Sequence, residues 1–247
     1  MAKRVKKRKG KKKVWISLFL IGALATCGYF LLHVYRKDLN EHKRHLLLKE
    51  IPDGFSSFGI DVSHHQGKID WNEVFHGYNL DSVVQFVYCK ATEGADHLDK
   101  QWVSNRNQLT NLGVLHGAYH FFSTTSDPIL QAEYFLENWN KTDGDLPPVL
   151  DVETDGLPDK DLISRMQLWL DHVEQKSGMR PVIYTSLHFY ETKFAGYFRD
   201  YKFWIAAYSR QPQLEDPRII HWQYTEKGQV PGIKGNVDLN VSKITYF

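Results

Sequence analysis

Cysteine is nearly absent: Cys27 and Cys89 are the only two in 247 residues. They lie far apart, so no disulfide framework is available and cysteine usage says little about the redox compartment. Neither a P-loop nor a G-x-G-x-x-G occurs, and nothing in the chain suggests a nucleotide. The G-x-S-x-G elbow of a Ser-His-Asp hydrolase is missing, as is the H-E-x-x-H pair of a zinc protease. There is no internal repeat, and low complexity is confined to the basic N-terminus.

A local absence is more informative. Val14–Tyr35, "VWISLFLIGALATCGYFLLHVY", contains no Asp, Glu, Lys or Arg. As a helix it spans about 33 Å, against roughly 30 Å for a bilayer core. Nine of the 13 residues before it are Lys or Arg, and such a cluster stays cytoplasmic. The expectation is a single-pass membrane anchor, with residues 1–13 as a cytoplasmic tail and everything after Tyr35 extracytoplasmic. Cleavage is the alternative, giving a secreted protein or a lipoprotein. A signal peptide has a shorter apolar core of about 7–15 residues, however, and Leu24-Ala25-Thr26-Cys27 fits a lipoprotein box poorly.

Charge divides the chain in the same place. Residues 1–50 carry 14 Lys and Arg against 3 Asp and Glu, whereas the remaining residues carry 17 against 26. A nucleic-acid partner would have to ignore this acidic domain, so none is expected. Residues 36–57 read as a helical stalk and linker broken by Pro52-Asp53-Gly54, and residues 58–247 as the globular domain.

In that domain, short apolar runs alternate with helical stretches. Strands are expected at Phe58–Val62, Val83–Lys90, Val114–Phe122, Pro148–Val152, Pro181–Thr185, Phe203–Ala207, Ile219–Tyr224 and Val237–Phe247. Helices are expected at Trp71–Tyr78, Lys100–Leu112, Pro128–Trp139 and Asp159–Lys176, with Asp127-Pro128 and Asp159 as starts and Gly113 and Gly178 as stops. About eight strands, the early ones separated by helices, imply an α/β fold with a closed or nearly closed parallel barrel. The later strands are crowded, so the final quarter should be irregular.

Functional side chains of such barrels collect at the C-terminal strand ends. Those ends supply Asp61, Lys90 with Glu93, Tyr119 with His120, Asp151 with Glu153, Tyr184, Trp204 and Trp222-Gln223-Tyr224, and Asp238 follows in "GNVDLN". In "VLDVET", Asp151 and Glu153 are two apart, which on a strand puts both on one face. Burial and mutual repulsion should then raise at least one pKa, a costly arrangement unless it serves acid catalysis. The alternative is a strand that ends here, leaving both groups to solvent or a cap. An acidic cleft lined with rings suits sugars, and glycoside cleavage uses paired carboxyl groups. Asp61 with His64 and His65 could be metal ligands, but adjacent histidines on a strand point opposite ways and no spaced histidine motif accompanies them. No metal is expected.

Taken in order, "GIDVSHHQG", "FVYCKATEG", "GVLHGAYHFF", "PVLDVET", "RPVIYTS", "FWIAAY" and "HWQY…GNVDLN" resemble the motifs of glycoside hydrolase family 25, the Chalaropsis-type lysozymes, from about Phe58 to the C-terminus. The resemblance implies an irregular TIM-like β/α barrel whose later units are degenerate. It implies no cofactor, and hydrolysis of the β-1,4 bond between N-acetylmuramic acid and N-acetylglucosamine in peptidoglycan glycan strands. By the same resemblance Glu153 is the general acid/base, Asp151 its neighbouring carboxylate and Asp61 the aspartate across the cleft. Asp238, Tyr119, Tyr184, Trp204 and Gln223 would bind the sugars, joined by Glu93 from the end of strand two. The anchor would hold the domain near its polymer, for cell-wall remodelling or lysis. A tethered peptidoglycan-binding module without activity is the rival reading; against it, every carboxylate position of the family is still an acid.

Overall fold

The computed structural model describes residues 6–49, 53–76, 84–212 and 215–246; the side chains of 6–13 and 36–49 lie outside the description. The chain forms two compact units, Met1–Leu46 and Leu47–Phe247. The first is a helix, α1 (Lys6–Lys49), containing the Val14–Tyr35 stretch with a mean hydropathy of 2.0. That stretch is long and apolar enough to cross a membrane, and its large side chains are exposed, Trp15 at 72% and Phe19 at 77%. The expected stalk is helical as far as Lys49; Glu50 to Pro52 fall outside the described residues.

The second unit is a mixed α/β barrel. Its elements are β1 (Ser57–Val62), α2 (Trp71–His76), β2 (Val84–Glu93), β3 (His97–Leu98), α3 (Trp102–Asn111), β4 (His116–Phe121), α4 (Pro128–Trp139), β5 (Val149–Val152), α5 (Asp159–Ser177), β6 (Val182–Ser186), β7 (Lys202–Ala206), β8 (Ile219–Gly228) and β9 (Val237–Ser242). Short helical turns over 187–194 lie between β6 and β7. Expected positions 77, 78, 83 and 247 fall outside the described residues. Strands β1, β2, β4, β5, β6, β7 and β8 pair in parallel; β9 inserts antiparallel between β8 and β1 and closes an eight-stranded ring. The short β3 is an appendage, antiparallel to β2, that the apolar runs do not signal.

The antiparallel closure departs from the all-parallel expectation for a physical reason. Only residues 229–236 separate β8 from β9, and a parallel crossover needs a dozen or more. The early connections contain helices because they are long enough. Asp127 caps α4 by accepting from the N–H groups of Ile129 (2.8 Å) and Leu130 (3.1 Å), with Pro128 in the first turn. Gly178 ends α5 in the left-handed region, φ 70°.

Alternation along the strands sorts side chains into two cores. Val87 and Cys89 of β2 face outward, into the apolar layer shared with Trp102, Phe135, Trp169 and the other helix residues. Phe86 and Tyr88 face inward, where with Leu146, Val149, Val182, Tyr184, Trp204 and Ile220 they fill the barrel. His221 joins this plug, 5.4 Å from the Phe86 ring, and burial pushes its imidazole down to about 3. Gly59 and Gly117 make room for it: a Cβ on either would strike the ring of Phe86 or Tyr88. The interior is therefore solid on one side and open only towards the ends of the parallel strands.

Candidate active site

At that open end lies a cleft of about 280 Å³, lined by side chains from every strand of the ring. β1 brings Asp61, β2 Lys90, β4 Tyr119, β5 Asp151 with Glu153 just beyond, and β6 Tyr184. Trp204 on β7 forms the floor, Tyr208 follows it, and β8 contributes Gln223 and Glu226. β9 runs the other way, so its first residues reach the same rim and bring Asp238.

β5 ends at Val152, which splits the pair in "VLDVET". Asp151 is buried, 6% exposed, whereas Glu153 stands exposed on the first residue past the strand. Both still face the cleft. Burial, then the Glu153 charge, pushes the Asp151 carboxyl well above its usual range, with Lys90 opposing. Glu153 is raised in its turn by partial burial of its carboxyl, opposed by the nearby Tyr184 hydroxyl and by Lys90. Two interacting carboxyl groups raised together hold one proton between them beyond the pH at which a free acid loses it. Asp151 Oδ1 is buried without a hydrogen-bond partner.

A second carboxyl pair sits opposite. The antiparallel register sets Asp61 directly across from Asp238, so their side chains leave the sheet together. Burial and then the Asp61 charge push Asp238 up to about 8, and it hydrogen-bonds to Asp61. Asp61 lies near 6, raised by burial and held from rising further by hydrogen bonds, of which those from Asn240 and Gln223 are the strongest. Its Oδ2 accepts from Asn240 Nδ2 at 2.7 Å and Gln223 Nε2 at 2.9 Å. Gln223 Oε1 accepts from the hydroxyls of Tyr184 (2.9 Å) and Tyr208 (2.6 Å), while Asn240 Oδ1 accepts from Trp204 Nε1 (2.9 Å).

Of the sequence-derived site residues, Asp61, Tyr119, Asp151, Glu153, Tyr184, Trp204, Gln223 and Asp238 thus meet in one cleft. Glu93 does not line it: its Oε2 pairs with Lys90 Nζ at 2.7 Å, and Lys90 in turn reaches the cleft. The Lys90 bond and charge outweigh burial and lower the Glu93 carboxyl. Trp204 is 2% exposed, so it supports the floor more than it offers a face. Trp222 and Tyr224 point the other way on β8 and pack against the outer core. His120 is also outside the cleft, stacked 5.4 Å from Trp169 and bonded to Thr92 and Gln131. Asn240, Tyr208 and Glu226 were not anticipated. Asn240 stands two residues after Asp238 in "GNVDLN", a spacing that signals a shared face; nothing local marks the other two.

The two histidines part company: His65 lines the cleft, while His64 turns to Asp99. His64 Nδ1 contacts Asp99 Oδ2 at 2.7 Å, and among the described residues no group of three His, Cys, Asp or Glu is arranged to hold a metal ion. The arrangement can instead move protons at a sugar acetal: a retained proton at the rim, anionic oxygen opposite, and hydroxyl and ring surfaces between.

The family model described as Glycosyl hydrolases family 25 matches residues 60–233. Uncharacterized protein YegX of Escherichia coli O157:H7 is 42% identical over 193 residues, 77% of this chain and 71% of that protein. Lysozyme M1 of Streptomyces globisporus is 32% identical over 203 residues, 74% of this chain and 66% of that protein. Among solved structures, a family 25 glycosyl hydrolase from Bacillus anthracis superposes with a TM-score of 0.69 at 30% identity, covering 77% of this chain and 90% of that one.

Proposed function

This chain belongs to glycosyl hydrolase family 25, and from that premise we propose that it is a lysozyme, a peptidoglycan hydrolase that cuts the β-1,4 bond between N-acetylmuramic acid and N-acetylglucosamine. The observation that carries the reading is the pair of carboxyl clusters facing each other across one cleft, with Asp61, Asp151, Glu153 and Asp238 all raised.

Glu153, the exposed member of its pair, is the one that reaches the glycosidic oxygen and donates the pair's shared proton to it as the C1–O bond breaks. Negative charge remaining on Asp151 and on Asp61 then faces the developing oxocarbenium ion. Water adds at C1, its proton returns to Glu153, and a new reducing end leaves. Asp61 Oδ2 is occupied by two amide donors, which suits a charge stabiliser better than an attacking group. The unpartnered Asp151 Oδ1 favours a second route, in which it accepts the N–H of the substrate's 2-acetamido group and that group's own oxygen attacks C1. Tyr119, Tyr184 and Gln223 border the sugar, and Glu93 acts through Lys90. The measurement is mass spectrometry of borohydride-reduced peptidoglycan digested by the full-length chain. New muramic acid ends are expected, falling about 10²-fold or more with Glu153→Gln. Near wild-type cleavage by that variant would remove Glu153 from the role of acid; binding without cleavage by the wild type would favour a tethered binding module.

The same reading places residues 1–13 in the cytoplasm, Val14–Tyr35 across the bilayer, 36–57 as a stalk, and the irregular TIM-like barrel of 58–247 on the wall side. The support is composition: a charge-free apolar helix behind a basic run.

A further inference from the structure

We propose that Gln223 and Asn240 are positioning residues, an amide clamp that holds Asp61 as an oriented anion, and that Gln223 does this in place of binding sugar. The inference rests on the assignment of Asp61 as the charge opposite Glu153.

A carboxylate raised by burial stays charged only if donors are aimed at it. Both amides give their N–H to the same atom, Asp61 Oδ2. An amide can flip, and a flipped one would set its carbonyl against the carboxylate, reversing the effect. Gln223 is held by its present partners: its Nε2 gives to Asp61 while its Oε1 accepts from the Tyr184 and Tyr208 hydroxyls, both of which would have to turn and accept if the amide flipped. Turning Asn240 would face its NH2 to the indole N–H of Trp204, which is donor only. Trp204 therefore fixes the polarity of Asn240 and the two tyrosines favour that of Gln223, and both amides act on one carboxylate.

Burial supports the assignment. Gln223 is 2% exposed and Asn240 fully buried, each with its polar atoms already engaged within the protein. Asn240 is closed to a sugar, and Gln223 has both its oxygen and its nitrogen bonded to protein partners. The register explains why both exist: Asn240 on β9 pairs with Gly59 of β1 and Gln223 of β8, so the clamp spans the antiparallel seam where the barrel closes.

The test is the pH profile of kcat and KM for full-length Asn240→Ala, Gln223→Leu and Tyr208→Phe, with Asp61→Asn as reference. The charged or titratable groups facing Asp61 are Asp238 on β9, Asp151 and Glu153 at the end of β5, Lys90 on β2, Glu226 on β8 and His65 after β1. Tyr119 on β4, Tyr184 on β6 and Tyr208 after β7 stay neutral, because burial pushes their hydroxyls upward. Loss of one charge-assisted bond moves the acidic limb of kcat/KM up by about one pH unit, tenfold in acidity, so that with KM unchanged kcat falls about twofold at pH 7 and approaches a tenfold loss below pH 6. Tyr208→Phe gives a smaller shift of the same sign. A rise in KM at Gln223→Leu with the limb unmoved would return Gln223 to sugar binding. A lower Tm with both limbs unmoved in the Asn240 and Gln223 variants would make the amides merely structural. If Asp61→Asn retains activity, the underlying assignment of Asp61 falls instead; if it is inactive while the clamp variants titrate normally, only the clamp falls.

Discussion

Asp238 shows most plainly how a single residue trades stability for chemistry. Its carboxyl rests at about 8 in the folded chain, against 3.8 when free, because burial and the Asp61 charge penalise ionisation. A raised acid adds no penalty while protonated in both states; its cost appears as pH rises above about 4 and is complete above about 8. Asp238→Asn removes that charge and leaves an N–H to face Asp61. The variant is therefore expected to lose activity yet to be more stable than wild type, by on the order of 1–3 kcal/mol at pH 8–9. The gain should vanish near pH 4. Thermal melts of both proteins across that range measure it, and a variant equally stable or weaker at pH 9 would refute the charge argument.

At the scale of elements, strand and helix positions were legible because alternation, capping and glycine stops are local signals. Asp127-Pro128 marks the start of α4 and Gly178 the end of α5 without help from the rest of the chain. The end of β5 at Val152 was legible in the apolar run Pro148–Val152; what the pairing of Asp151 with Glu153 on one face left out is that this end separates a buried carboxyl from an exposed one. Packing between strands was not legible at all. Gly59 has an ordinary strand backbone; it is glycine because the Phe86 ring on the neighbouring β2 fills the space. Gly59→Ala should cost about 1–3 kcal/mol through overpacking of the barrel plug, read as a lower denaturation midpoint with an unchanged m-value. A neutral effect would mean that Phe86 repacks freely.

For the whole molecule, the proposed anchoring of the barrel by its apolar N-terminal helix is the point to test. If the proposed orientation holds, with the basic run before Val14 inside, residues 1–57 fused to a reporter active only outside the cytoplasm give signal in the membrane fraction. Replacing the nine Lys and Arg of residues 1–13 with Ser should reduce that signal several-fold. Signal in a soluble fraction would point to cleavage, and absence of signal to the opposite orientation.

The motif order, the acidic and aromatic strand ends, and the span of Val14–Tyr35 were determined by the sequence itself, because each depends on residue type and spacing within a few positions. Tertiary structure alone decided how the ring closes, since β9 must run antiparallel once residues 229–236 are too short to cross over. That reversal sets Asp238 opposite Asp61 and Asn240 beside Gln223, across sequence separations that no periodicity encodes. Glu93, by contrast, turns towards Lys90 and away from the cleft through a local ion pair at the end of β2. The acids could be listed from the chain; which of them share a proton depends on distances between strands.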